Sequence, residues 1–286
     1  MSWIDLHTHS TYSDGALTPA ELIDLAIERG IAALALTDHD TVAGLPDFFA
    51  HAAGREIEAL GGIEISSWYA DDSLHILGYG IDPENAGLKT GLQQLQQDRH
   101  RRNLKILERL NQIGIPIKYS DLESRENSQV GRPHIARAQI KLGVVGDFHS
   151  AFSRYLRRGG PAYVESRRIH ALDAIRLIAS AGGAPVLAHP AVADPGLKSL
   201  PALLGELCAA GLVGIEVYYP SHTKRHLQQL MKITAEHNLI ATGGTDFHED
   251  PGNGVPLGGS CRTIRVPHSC LDKLHEYDKK HRREKA

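Results

Sequence analysis

Along most of the chain, short apolar or β-branched runs alternate with longer stretches of helical spacing. "WIDLHTH", "IAALALTDHD", "GGIEISSWY", "LHILGYG", "APVLAHP", "VGIEVYY" and "LIATGGTDFH" have the length and apolar density of buried strands, and their alternation with helical runs predicts parallel β/α units. The first unit is fully punctuated. In "TPAELIDLAIERG", Thr18 stands at the N-cap, Pro19 at the first helical position, Glu21 three residues after the cap, and Gly30 at the stop.

The alternation breaks after "LHILGYG" and resumes near residue 171. Between them "LKTGLQQLQQDRHRRNLKILERLNQIG" predicts a long helix, with shorter ones at "GRPHIARAQIKLG" and "FHSAFSRYLRRGG". At 286 residues the chain fits either one α/β barrel with an insertion or two domains. We expect a barrel built from residues 1–90 and 171–286, with 91–170 as a helical insertion over one end. The polar tail "DKKHRREKA" reads as a frayed end.

Charge sharpens that division. The net charge is only −3, yet residues 96–170 hold fifteen Lys or Arg against seven Asp or Glu, a balance of +8 that leaves −11 elsewhere. A basic block of this kind is either a solvated helical face or a surface for anionic ligands. Hydrophobic content of 42% and charged content of 23% exclude disordered, collagenous and membrane classes. No run is long and apolar enough for a membrane span, and the first histidines come too early for a cleavable leader, so a cytoplasmic location is expected. Cys208, Cys261 and Cys270 lack CxxC spacing and read as reduced structural residues.

Candidate chemistry lies at the ends of the strands. Residues i and i+2 of a strand share a side, so His7 and His9 of "DLHTHSTYSDG" can converge on one ion. Alone, such a pair is weak evidence. Other predicted strands add His39 ("TDHD"), Glu64 ("GIEIS"), His75 ("LHILG"), His189 ("AHP"), and Asp246 with His248 ("GTDFH"), and Asp14 follows the first strand. Barrels place catalytic groups at such ends. Six histidines and three carboxylates exceed one tetrahedral zinc and suffice for two or three divalent ions, and the absence of thiolate suits Mn²⁺, Fe²⁺ or Zn²⁺.

In this order, "DLHTHSTYSDG", "TDHD", "GIEIS", "AHP" and "TDFH" resemble the PHP (polymerase and histidinol phosphatase) superfamily. The resemblance implies a distorted (β/α)₇, TIM-like barrel with a trinuclear metal centre, Mn²⁺ being the first choice of ion. It implies that His7 and His9 bind one ion with Asp246, that Glu64 bridges to a second ion bound by His75 and His189, and that Asp14, His39 and His248 hold a third. Many members carry a His where this chain has Asp14, which implies a weaker hold on that third ion. The chain is too short to include a polymerase. "RHRRN", "GRPHIAR", "RGGPAYV" and "YYPSHT" look like the branch of nucleoside 3′,5′-bisphosphate phosphatases and 5′-3′ exoribonucleases.

The expected nucleophile is metal-bound hydroxide, which leaves the side chains to bind phosphate oxygens and protonate the leaving alkoxide. Arg102, Asn103, Arg132, His134 and His222 are the phosphate-binding candidates, with His134 and His222 also candidate proton donors. Glu216 and Tyr218 alternate on "GIEVYY" and either line the pocket or pack in the core. The leading expectation is hydrolysis of the 3′-phosphate of a nucleoside 3′,5′-bisphosphate. The alternatives are 5′-3′ exonuclease action on short or 5′-phosphorylated RNA, histidinol phosphate hydrolysis, and a non-catalytic nucleotide-binding module. Neither a membrane nor a protein partner is expected.

Overall fold

The computed structural model describes residues 3–70, 72–122, 128–165, 169–249, 255–260 and 264–285. In chain order the main elements are β1 (Trp3–Asp5), α1 (Pro19–Glu28), β2 (Ile31–Leu36), α2 (Leu45–Ala52), β3 (Glu58–Tyr69), β4 (Asp72–Tyr79) and α3 (Ala86–Gln112). There follow α4 (Arg132–Lys141), α5 (Phe148–Ala151), a π-helical turn (Phe152–Leu156), β5 (Ile169–His170), α6 (Ala171–Ser180) and β6 (Ala184–Leu187). The chain continues through α7 (Pro190–Ala193), α8 (Leu200–Ala209), β7 (Gly214–Tyr218), α9 (Lys224–Glu236), β8 (Ile240–Gly243), β9 (Val266–Pro267) and α10 (Ser269–Lys285).

Seven strands run round a distorted barrel in the order β1-β2-β3-β4-β6-β7-β8. It closes at the mouth, where Leu6 N–H donates to Gly243 O (3.2 Å) and His9 N–H to Phe247 O (2.9 Å). Gly244 permits that approach, since a Cβ there would lie 2.4 Å from His7 N. On β2, Ala33 and Ala35 face the barrel interior with Ile4, Leu6, Leu77 and Val186. Leu34 and Leu36 face outward with Ile63, Ile65 and Ile76, against Leu22 and Ile23 of α1 and Ile175 and Ile178 of α6. Burial on both faces explains the near-continuous apolar runs.

The α1 expectation holds in detail. Thr18 Oγ1 accepts from Glu21 N–H (3.1 Å), Glu21 Oε2 accepts from Thr18 N–H (2.8 Å), Pro19 opens the helix, and Gly30 follows at φ +68°.

One expectation is corrected. "LHILGYG" is not a parallel unit: β4 runs antiparallel to both β3 and β6. β3 is twelve residues long, projects past β2 and folds back through a turn at Ala70 (φ 51°), so its partner must reverse direction. The hairpin places His75, near the start of β4, opposite Ser66 at the mouth. The two-residue strands β5 and β9 also escaped the sequence pattern; β5 pairs with β3, and β9 runs antiparallel to β1.

α3 joins two cores. Leu88, Leu92 and Leu95 pack into the barrel's outer core, whereas Ile106, Leu107 and Leu110 enter a second cluster with Ile117, Ile135, Ala151, Leu156 and Val164. Among the described residues no helix is long and apolar enough to cross a membrane. Cys270 is buried, which pushes its thiol up to about 12, and Cys208 is partly buried. Cys261 lies outside the described residues.

Candidate metal centre

β1 and β8 continue past their regular ends and set the first ligand-type residues. Thr8 pairs with Phe247, and its side chain turns away from the centre, donating to Ala35 O (2.6 Å). Alternation then aims His7 and His9 inward together. His39 pairs with Glu64 across the gap between β2 and β3. Asp40, His189 and Asp246 all take left-handed backbone conformations (φ 52°, 27° and 53°), a strained geometry for residues bearing a Cβ and one that concentrates at functional sites.

Glu64 is the hub. Its Oε1 lies 2.8 Å from His75 Nδ1 and 3.1 Å from His189 Nε2. Its Oε2 lies 3.4, 3.3 and 2.9 Å from His7 Nε2, His9 Nε2 and His39 Nδ1. Asp246 Oδ1 approaches His7 Nε2 (3.3 Å) and His9 Nε2 (3.0 Å), and Asp14 Oδ1 approaches His248 Nε2 (3.2 Å). Ligand atoms therefore gather in three sets within 4.8 Å: His7, His9, Glu64 and Asp246; His9, Asp14, His39 and His248; and His39, Glu64 and His75.

The donor set fits divalent cations. His7 Nε2, His9 Nε2, His39 Nδ1, Asp14 Oδ1, Glu64 Oε2 and Asp246 Oδ1 are all buried and make no hydrogen bond, although buried polar atoms are ordinarily satisfied. Six such atoms, distributed over the three sets, are what a site for divalent cations would present. The protonation tendencies agree. Burial opposes charge on His9, but the Asp246 and Glu64 carboxylates outweigh it and push the imidazole up to about 10. Burial likewise opposes charge on Glu64, and the surrounding histidines hold its carboxyl well below the usual range. The carboxylates thus demand positive charge, which protons or cations can supply.

A second layer fixes these atoms. Glu216, fully buried, accepts from His7 Nδ1–H (2.9 Å) and His189 N–H (2.7 Å), so His7 presents Nε2 to the centre. Tyr219 O–H donates to Asp246 Oδ2 (3.0 Å), leaving Oδ1 for the centre; burial, then Asp246, pushes that phenol up and keeps it a donor. Asp38 accepts from Ser10 N–H (2.7 Å), Ser10 O–H (2.7 Å) and Ser13 O–H (2.6 Å), which shapes the loop leading to Asp14.

Beside the centre is a cavity of about 200 Å³, bordered by Asp14, His39 and His75 and by Arg99, Arg102, Arg132 and Phe152. Arg99 pairs with Asp40 and donates to Ser66 Oγ (3.0 Å). Arg132 donates to Val164 O (2.9 Å) with its guanidinium 5.3 Å from the Tyr163 ring centre. Of the sequence candidates, Arg102 and Arg132 reach this cavity, whereas Asn103 is a support: its Oδ1 accepts from Arg102 Nη2 (2.9 Å) and its amide donates to Val130 O (2.8 Å).

Neither candidate proton donor borders that cavity. His134 Nδ1 accepts from Gly131 N–H (3.1 Å), its ring also bonds the Ser13 backbone, and burial pulls its pKa down to about 4. It is a neutral tie between α4 and the metal loop. His222 Nδ1–H donates to Val217 O (2.8 Å), burial lowers its pKa, and its Nε2 is buried without a hydrogen bond. The Tyr219 ring stands between it and His189. Tyr218 is half-buried near Met231. Sequence reasoning missed Arg99, which the three-residue helical spacing from Arg102 marks as a neighbour on the same face, and it missed Asp38 and Tyr219, whose roles depend on tertiary contacts.

Known proteins align with this picture. A family model described as the PHP domain matches residues 5–156. A 3′,5′-nucleoside bisphosphate phosphatase of Chromobacterium violaceum is 38% identical over 279 residues, covering 92% of this chain and 95% of its own. A 5′-3′ exoribonuclease of Haemophilus influenzae is 35% identical, covering 89% of this chain and 92% of its own. A solved Chromobacterium violaceum structure, named as an amidohydrolase with bound sulfate and no metal, superposes with a TM-score of 0.87 at 36% identity, covering 96% of this chain and 97% of that one. With half its length matched by the domain model and nearly all of it by full-length relatives, the chain belongs to the PHP-domain family.

Proposed function

We propose that this protein is a metal-dependent phosphoesterase that removes the 3′-phosphate of nucleoside 3′,5′-bisphosphates. The observation that carries the reading is the shared cavity: three arginines face the same space as Asp14, His39 and His75. One phosphate at the centre leaves the arginines to hold a second, and their planar forks match phosphate oxygens in pairs. The nucleoside bisphosphate phosphatase relative supports this choice. An uncharged amide substrate would bring those guanidinium groups no anion to bind.

Divalent ions held by the nine ligands would lower the pKa of an attacking water and stabilise charge developing at phosphorus. His7, His9 and Asp246 would hold one, His75 and His189 a second with Glu64 between them, and Asp14, His39 and His248 a third; Mn²⁺ is the favoured ion. The remaining work falls to the chain's own groups. Glu216 holds the His7 tautomer, Tyr219 orients Asp246, and Asp40 aims Arg99. Residues 91–170 act as a cap: α3 and α4 bring the arginines over the barrel mouth, where their N–H groups orient the distal phosphate and exclude bulk water.

The exoribonuclease relative supports a second reading, in which a 5′-phosphorylated RNA end uses the same arginines. Phosphate release by Mn²⁺-loaded protein from adenosine 3′,5′-bisphosphate should exceed that from 3′-AMP, 5′-AMP and histidinol phosphate, with 5′-AMP as the product. Equal turnover of bisphosphate and monophosphates would overturn the anchor role, and consumption of a 5′-phosphorylated oligoribonucleotide alone would establish the second reading.

A further inference from the structure

The inner face of the β3–β4 hairpin extends beyond the metal centre. Alternate residues of a strand share a face, so Glu64, Ser66 and Trp68 follow one another on β3, continued across the pairing by Leu77, His75 and Ser73 of β4. Ser66 and His75 border the arginine cavity. Trp68 stands two residues farther out, about 7 Å along the strand. It is 41% exposed, unusual for so large an aromatic ring on the same strand face as buried Glu64.

That ring is held in place. His170 meets it edge-on, with centroids 4.8 Å apart and planes at 87°. His170 is itself fixed, by the β5–β3 pairing opposite Trp68 and by accepting Leu172 N–H on Nδ1 at 3.3 Å. Since Ser66 Oγ accepts from Arg99, a guanidinium and a braced indole flank the same short length of strand. A cation beside a rigid aromatic surface matches the two chemistries of a nucleotide, phosphate and base.

We propose that Trp68 is the surface on which the nucleobase of the bound substrate stacks, whether the base belongs to a mononucleotide or to the end of an RNA. This rests on the nucleotide phosphoesterase reading above. Every base presents a π-face, so the contact would tolerate all four bases, and an indole already braced by His170 loses little freedom on binding.

The chain has two tryptophans, Trp3 and Trp68. Trp3 lies in β1 beneath the Arg265 guanidinium (4.0 Å), so in a Trp3→Phe variant the indole emission reports Trp68 alone. Adenosine 3′,5′-bisphosphate and a 5′-phosphorylated oligoadenylate should each quench that emission saturably, and ribose 5-phosphate should not. Quenching by only one of the two adenine ligands would assign the base to that source. In steady-state assays Trp68→Ala should raise KM for the base-bearing substrate about tenfold while leaving an abasic sugar 3′,5′-bisphosphate unaffected, with Trp68→Phe recovering most of the loss. No quenching by either adenine ligand, or equal losses on base-bearing and abasic substrates, would overturn the proposal. If the parent protein hydrolysed neither bisphosphate, the phosphatase reading would fail, and the quench, which requires no turnover, would still decide the stacking.

Discussion

The metal centre and the arginine cavity are neighbours built on different principles. In the centre, ligand-type atoms come from strand ends and are buttressed by buried carboxylates: Glu216 holds His7 and His189, and Asp38 holds the loop to Asp14. In the cavity, Arg99, Arg102 and Arg132 come from helices of the basic segment, and the groups that steer them include the Asp40 carboxylate and Ser66 hydroxyl, the Asn103 amide and the Val164 carbonyl. The first arrangement fixes positions to the precision that metal ligation requires. The second places long, charged side chains on helices outside the strands, which in the proposed reading suits selection of an anion more than bond breaking.

The sharpest way to break this comparison is at Glu64, whose two oxygens face five histidine nitrogens. Glu64→Gln keeps the shape but removes the charge that offsets any cation, so we expect turnover to fall to background and metal content, measured by elemental analysis, to drop. A metal-replete, active variant would deny Glu64 the central place.

Glu216 separates ligation from the support of ligation. Glu216→Gln should keep a hydrogen bond to His7 while removing the buried charge that makes the ring a stronger ligand. Second-layer changes of this kind weaken metal affinity or activity by about 10–100-fold. The expected signature is activity recovered by raising Mn²⁺, with KM for the bisphosphate nearly unchanged. If Mn²⁺ had no effect and KM rose instead, Glu216 would belong to substrate binding.

The same contrast explains what was legible in the chain. His7, His9, Glu64, Asp246 and their partners could be read because strand alternation and strand ends are short-range patterns with functional meaning. Glu216 was visible only as an ambiguous residue on a strand face, since nothing local shows that its partner is a histidine 209 residues away. The antiparallel β4 was misread as parallel, because an apolar run in sequence has no direction. In the basic segment, composition disclosed the charge, but which arginine faces the cavity depends on how α3 leaves the barrel core, and that depends on contacts no window of sequence contains.

Asn103 tests the looser half of the comparison and should give the smallest effect. As a sequence candidate it was a direct phosphate ligand; in the fold its Oδ1 takes both the Nε (3.2 Å) and Nη2 (2.9 Å) hydrogens of Arg102, and its amide reaches Val130 O. Removing a neutral acceptor that steers a cation forfeits about 1 kcal/mol, a few-fold in binding. Asn103→Ala should therefore raise KM for the bisphosphate a few-fold, leave kcat and metal content unchanged, and leave KM for a monophosphate unaltered, because in the proposed reading only the distal phosphate uses Arg102. A fall in kcat comparable to that of Glu64→Gln would mean that Asn103 reaches the reacting phosphate directly, and the division between a rigid centre and an adjustable cap would have to be redrawn with Asn103 on the other side.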